Sequence, residues 1–431
     1  MHDNARPKEN DGSTRTVQRM NRMTRREVLF GGAAAAALLT SAPAIAASNN
    51  EGSFSTPSPL RRNRTALVLS GGGARGAYEA GIIQELARSG GIRDGQPLAP
   101  FGIVCGTSIG ALNGWFVATG QYTKLRALWA TIASNDIIRL QHRFAKLTQS
   151  TSGVASRLSQ AIRLALGLTK NVRGVADSAA IRTWMRNHVN LSDPVLLPLV
   201  WTVTNLSRAT PEFFYRLPEN FQITDRSAVL SALTTTLGPN AIVREATDDI
   251  LIDALFASTA IPVFFNPVQL PSPNGDDTDF YCDGGVVNNT PINFARTFAE
   301  DVRVIMLDPH RSVEPIENAV DVGLAVFTAM QRKILNAELH GIYIEGVGLN
   351  ALNALSSKEF HSLAMHESSG AARFVKFTQS LASSTLSIIQ PTSTLPVSIQ
   401  GFNRQDLIDA TVARGIADAQ LGWQPFGIVD S

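Results

Sequence analysis

The sequence has little charge and almost no sulfur chemistry. Charged residues make up 17% of its 431 positions against 44% hydrophobic ones, a balance that excludes a chain kept unfolded by self-repulsion. Only two cysteines occur, Cys105 and Cys282. Two cysteines permit a disulfide but do not imply one, since a lone cysteine is commonly a small buried apolar side chain, and two buried thiols are expected. No zinc-like spacing is present, the seven histidines form no HExxH pair, and no loop has a dedicated calcium-binding pattern, so no metal is expected. Also missing are an internal repeat, a composition shift marking a second domain, and an apolar run convincing as the roughly 18-residue span of a membrane helix.

The first 46 residues differ from the rest. MHDNARPKENDGSTRTVQRM is polar and patternless, and MTRREVLFGGAAAAALLTSAPAIAA then brings a charged start, a short apolar run and a small-residue exit at Ala44-Ile45-Ala46. That three-part layout is that of a secretory signal, and Arg25-Arg26 before a modest apolar run resembles a twin-arginine export signal. The expectation is an exported, periplasmic or secreted protein whose translation starts as late as Met20 or Met23, with residues 47–64 a flexible lead-in rich in Ser, Asn and Pro. Of 38 basic and 36 acidic residues, the leader holds seven and four, leaving 31 and 32, or a formal charge of −1. The basic balance thus belongs to the leader and gives no support to nucleic-acid binding.

From residue 65 the chain acquires a rhythm. TALVLS (65–70) is strand-like, AYEAGIIQELARSG (77–90) repeats apolar residues at helical spacing, FGIVCGTS (101–108) is strand-like again, and IGALNGWFVATG follows as an apolar helix. Strand, glycine turn and helix occurring twice in succession predict an α/β protein with a parallel sheet. VLLPLVWTVTNL (195–206) and VRVIMLD (302–308) add strands; TDDILIDALFAST (247–259), with its aspartates as caps, and DVGLAVFTAMQRKILNAEL (321–339) add helices. Residues 135–174 carry seven Lys or Arg against Asp136 alone. Val154, Leu158, Ala161, Ile162, Ala165 and Leu166 share one helical face there, which suits a core-packed helix with a solvated basic side or, alternatively, a helix resting on an anionic membrane.

The chemistry lies in the turns. In LVLSGGGARGAYEAG, Gly71, Gly73 and Gly76 satisfy G-x-G-x-x-G, so a dinucleotide is the first candidate ligand. That reading requires an acidic residue at a second strand end about 20 positions on, whereas Asp94 sits in the loop-like GGIRDGQP; no nucleotide is expected. Further on, Gly106-Thr107-Ser108-Ile109-Gly110 is G-x-S-x-G between strand and helix, a turn that projects a serine hydroxyl next to a helix N-terminus. A serine needs a base. His310, after Asp308-Pro309, is the histidine candidate for a Ser-Asp-His arrangement; Asp283, entering Gly284-Gly285, is the carboxylate candidate, and burial would raise its pKa to a useful value.

At this point the chain resembles the patatin-like phospholipase family, through GGGARG at 71–76, GTSIG at 106–110, ASTAIPVFFNPV at 257–268 and DGG at 283–285 with VVNNTP after it. The resemblance covers a core from about residue 65 to 310 and implies a three-layer sandwich, a largely parallel central sheet with helices on both faces, closed by a looser, helical C-terminal part. It implies Ser108 as nucleophile and Asp283 as its base, with Gly106 and Gly110 shaping the nucleophile's turn and no cofactor. It also implies an oxyanion hole in the glycine turn of Gly71, Gly72, Gly73 and Ala74. Beside that turn, Arg75 and Gly76 are expected to contact a substrate phosphate or to pin the loop, and ASTAIPVFF to pack beneath the dyad in a structural role. The implied substrates are phospholipids or lysophospholipids at a membrane surface. Two rival readings are a carboxylesterase using His310 and a catalytically silent lipid-binding protein.

Overall fold

A computed structural model describes residues 64–135, 176–221, 242–307 apart from 263, 274 and 276, 319–353 and 385–426. The leader, residues 136–174 of the basic segment at 135–174, His142, His310, His361 and His366 lie outside the described residues. Among the described residues, no helix is long and apolar enough to cross a membrane.

Strands β1 (Thr65–Leu69), β2 (Phe101–Thr107), β3 (Leu199–Asn205), β4 (Thr210–Arg216), β5 (Ile242–Glu245), β8 (Asp301–Ile305), β9 (Thr385–Ile389) and β10 (Gln424–Pro425) run in the order β10-β9-β8-β1-β2-β3-β4-β5. The centre, β9-β8-β1-β2-β3, is parallel, and antiparallel pairs join β3 to β4 and β9 to β10. Strands β6 (Val268–Pro271) and β7 (Thr278–Asp283) form an antiparallel ribbon that attaches to β3 through β7.

Alternation along the central strands divides the core in two. In β1, Leu67 and Leu69 face one apolar cluster while Ala66 and Val68 face the other. The first cluster takes the buried sides of α1 (Gly76–Ser89), α2 (Ile109–Ala118), α3 (Tyr122–Thr131), α4 (Ser178–His188), α5 (Leu251–Thr259) and α8 (Gln405–Gln420). The second takes α6 (Ile292–Phe298) and one face of α7 (Ala319–Asn353), through Leu335, Leu339 and Ile342. Helix layers on both faces of a mostly parallel sheet are the three-layer sandwich expected.

Two expectations need correction. The aspartates before α5 do not cap it: Asp248 pairs with Arg216 at 2.6 Å, Asp249 accepts from the Thr247 hydroxyl, and the helix opens at Ile250 with no side-chain cap. A nearby guanidinium and hydroxyl outcompete the helix's free N–H groups for these carboxylates. The C-terminal part is also more than a helical closure. β9 adds a parallel strand beside β8, and α8 is tied to α1 by the Tyr78 hydroxyl, which donates to Asp418 at 2.9 Å. In TLSII only the last two residues, Ile388 and Ile389, are buried, too short an apolar run to stand out as a buried strand.

Candidate active site

The register of β3 brings two distant turns together. Thr107, the last residue of β2, pairs with Thr202, and the next residue of β3, Val203, pairs with Asp283 at the end of β7. β7 thus continues along β3 where β2 stops, and the residues leaving both strands meet. Ser108 Oγ donates to Asp283 Oδ2 at 2.6 Å across a separation of 175 residues. The second carboxylate oxygen, Oδ1, accepts the Gly285 N–H at 2.7 Å.

Ser108 sits at φ 56°, ψ −126°, between β2 and α2. A positive φ on a non-glycine residue is strained and is held only by surroundings that over-determine it. Its N–H donates to Ser258 Oγ at 2.9 Å, and Ser258 Oγ in turn donates to the Thr202 carbonyl at 2.7 Å. The flanking glycines leave room for the turn: a Cβ on Gly106 would lie 2.5 Å from the Gly110 carbonyl oxygen, and one on Gly110 equally close to that of Leu69. Asp283 is fully buried, and desolvation pushes its carboxyl up to about 7 against the opposing hydrogen bonds from Ser108 and Gly285. A carboxylate near neutrality can take a hydroxyl proton and return it.

The glycine turn packs beside the serine, and its N–H groups divide into committed and uncommitted. Gly71 donates to the Asn289 carbonyl at 3.0 Å, Ala74 to the Ile399 carbonyl at 2.9 Å, and Arg75 to the Gly72 carbonyl at 3.2 Å. This corrects the expected oxyanion hole: the amides of Gly71 and Ala74 are already bonded, so their role is to fix the turn. Gly72 and Gly73 keep N–H groups with no partner among the described residues. Gly73, at φ 57°, lines the cavity that holds Ser108. Arg75 is buried and lines a separate cavity of mixed character with Gly71, Gly72, Asn289, Thr290 and Arg332. Gly76 opens α1 against Ile109, the residue after the serine. Gly284 packs so tightly on β3 that a Cβ there would lie 2.2 Å from the Thr202 carbonyl oxygen.

Ser108 lines a partly open cavity walled almost wholly by apolar side chains that include Leu112, Ile181, Trp184, Met185, Phe264 and Phe402. Two walls were not legible as such. The ASTAIPVFF segment does more than pack beneath the dyad, because Thr259, Ile261, Phe264 and Phe265 face the cavity. The loop before α8 sends in Ile399, Gln400 and Phe402 from the far end of the chain. Ser258 and Asn289 were not singled out either, although both lie inside quoted motifs; nothing in their local sequence marks which short polar residue the fold uses.

Below the turn, Asn113 Nδ2 donates to Glu79 Oε2 at 2.9 Å and to the Gly76 carbonyl at 3.0 Å, while Trp129 Nε1 donates to Asn113 Oδ1 at 3.0 Å. Glu79 has no exposure, and burial raises its carboxyl well above the usual range. Cys105 and Cys282 are free, buried thiols, and burial raises both. His188 stacks on Trp184 and its Nδ1 lies 2.8 Å from the Trp184 carbonyl. Among the described residues, no group of three or more His, Cys, Asp or Glu could hold a metal ion.

A strained serine joined directly to a buried aspartate, on a three-layer α/β sandwich, is the arrangement these observations define. The chain belongs to the patatin-like phospholipase family, whose model matches residues 67–296. It is 26% identical over 249 residues to the mouse (Mus musculus) "Patatin-like phospholipase domain-containing protein 7", a match covering 58% of this chain and 14% of that protein. It is 26% identical over 240 residues to the "cGAMP-activated phospholipase" of Vibrio cholerae, covering 54% of this chain and 56% of that protein. The chain therefore spans between about a seventh and just over half the length of these relatives. Among solved structures, VipD from Legionella pneumophila aligns at a TM-score of 0.31 and 14% identity, over 84% of this chain and 68% of that one.

Proposed function

We propose that this protein is a serine acyl hydrolase that cleaves fatty-acyl esters of phospholipids or lysophospholipids through a Ser108–Asp283 dyad. The observation that carries the reading is the 2.6 Å hydrogen bond from Ser108 Oγ to buried Asp283, with Ser108 in the lining of an apolar cavity. Asp283 takes the Ser108 proton as Oγ attacks the ester carbonyl carbon. The Gly72 and Gly73 N–H groups stabilise the resulting oxyanion, where one well-aimed donor contributes about 3 kcal/mol. Collapse breaks the ester bond, and Asp283 hands its proton to the departing alcohol or lysolipid. Asp283 then deprotonates a water that attacks the acyl-enzyme; the fatty acid leaves and Ser108 recovers a proton. The apolar cavity suits an acyl chain, whose burial gains roughly 0.8 kcal/mol per CH₂.

Direct contact between hydroxyl and carboxylate supports a dyad over a triad through His310, because an imidazole relay needs its ring between the two. A silent lipid-binding role leaves the strain at Ser108 and the raised Asp283 pKa without a use. Export through residues 1–46 is part of the same proposal, since it would deliver the enzyme to membrane lipid, and fusing those residues to a reporter that is active only outside the cytoplasm tests it.

The decisive experiment measures fatty-acid release from mixed phospholipid and lysophospholipid vesicles by the full chain, Ser108→Ala, Asp283→Asn and His310→Ala. Loss in the first two variants with activity kept in the third is expected. Loss in His310→Ala with activity kept in Asp283→Asn would transfer the base role to the histidine. Vesicle binding without release by the unaltered protein would leave the binding role standing instead.

A further inference from the structure

We propose that Gln331, on the long helix α7, is a positioning residue that sets the glycine turn through Asn289. The inference rests on the reading of Gly72 and Gly73 as oxyanion donors. Gln331 lies beyond residues 67–296, the stretch that matches the family model, and is 6% exposed. Its Nε2 donates to Asn289 Oδ1 at 2.8 Å, and Asn289 Nδ2 donates to the Gly71 carbonyl at 3.1 Å. The Asn289 carbonyl also accepts the Gly71 N–H at 3.0 Å. One residue therefore holds both polar groups of Gly71, the position immediately before the two uncommitted donors.

The direction of this chain is forced. A carbonyl accepts and cannot donate, so Gly71 requires the NH₂ end of Asn289. Oδ1 is then turned the other way, where it needs a donor, and Gln331 supplies one. Without that donor Oδ1 is left buried and unpaired, and an acceptor in its place would draw the Asn289 NH₂ away from the Gly71 oxygen. Gln331 thus maintains the polarity of a contact it does not itself make.

The glycines of both turns supply an independent sign of the same arrangement. A Cβ on Gly71 would lie 2.3 Å from Asn289 Oδ1. On Gly285 it would lie 2.3 Å from Gln331 Nε2, 2.8 Å from Asn289 Oδ1 and 3.0 Å from Asp283 Oδ1. The Gln331–Asn289 hydrogen bond passes across one glycine of the oxyanion turn and one of the Asp283 turn, and holds the two together. Neither Gln331 nor Asn289 lines the apolar cavity beside Ser108. Their effect belongs to the transition state, in which the oxyanion forms, and to kcat in preference to KM.

The test uses the full chain and p-nitrophenyl hexanoate, with wild type, Ser108→Ala, Gln331→Met, Gln331→Glu, Asn289→Ala and the Gln331→Met/Asn289→Ala double variant, each followed by thermal melting. Gln331→Met is expected to lower kcat about tenfold with KM within about twofold, a fraction of what removing an oxyanion donor costs. Gln331→Glu should lose at least as much, because a carboxylate offers Asn289 Oδ1 only acceptors, and it carries the test alone if Gln331→Met does not fold. Asn289→Ala should cost on the order of a hundredfold, and Gln331→Met should add nothing on that background. An unchanged kcat in both Gln331 variants, or losses that multiply in the double variant, would overturn the inference and leave the functional reading intact. Wild type without Ser108-dependent turnover would overturn the functional reading, and the inference with it.

Discussion

Replacing Asp283 by Asn should abolish turnover and, above neutral pH, make the protein more stable. The carboxyl is fully buried and its pKa is raised from 3.8 to about 7 by desolvation. Between those values the folded state binds the proton that the unfolded state has released, so wild-type stability falls as pH rises from about 4 to about 7. At roughly 1.4 kcal/mol per pKa unit, a displacement of about three units corresponds to about 4 kcal/mol at pH 8, an order-of-magnitude ceiling. Asparagine removes this penalty while keeping the contacts: its oxygen can accept the Gly285 N–H, and its NH₂ can donate to Ser108 Oγ, where the native bond runs the other way. Urea midpoints of wild type and Asp283→Asn at pH 4 and pH 8 measure the effect. They should nearly coincide at pH 4, where both side chains are neutral in the folded state, and separate by a few kcal/mol at pH 8. A gain equal at both values, or none at pH 8, would refute the claim that Asp283 is held at an unfavourable charge for the sake of its chemistry.

Other consequences follow from the same geometry. As the proposed base, Asp283 would have to be ionised to act, so wild-type kcat/KM should rise about tenfold per unit below pH 7 and level off above it, and a rate flat from pH 5 to 8 would exclude Asp283 as the base. Ser258→Ala strips the acceptor from the Ser108 N–H; it should cost about 1–3 kcal/mol in denaturant unfolding and lower kcat, and an unchanged kcat would mean that the serine holds its conformation without that bond. Gly73→Ala combines a positive φ with a Cβ 2.4 Å from the Ile399 carbonyl oxygen, so it should reduce turnover by at least a hundredfold, measured as p-nitrophenolate release. Ile181→Trp narrows the apolar cavity and should shift the ratio of rates on p-nitrophenyl palmitate and butyrate towards the short ester; an unaltered ratio would place the acyl chain elsewhere.

Local signals in the sequence determined a good deal. Apolar spacing and glycine punctuation marked β1, α1, β2 and α2 to within a residue or two, because each is short-range and bounded by turns. The G-x-S-x-G turn was legible for the same reason, since its glycines answer to contacts within one strand–helix corner. The proposed partnership of Ser108 with Asp283 was not legible in spacing; it came from resemblance, because the 2.6 Å contact depends on β7 joining β3 where β2 ends.

Tertiary structure alone decided which amides of the glycine turn stay uncommitted. Asn289 and Ile399 claim those of Gly71 and Ala74, and the two residues lie more than 200 positions away. It also decided that Asp248 and Asp249 would serve a guanidinium and a hydroxyl instead of a helix end. Gln331, in a helix called only from its apolar periodicity, became a neighbour of both turns through packing. A hydrogen bond is satisfied by whichever partner the fold brings within about 3 Å, and that choice belongs to the assembled sheet.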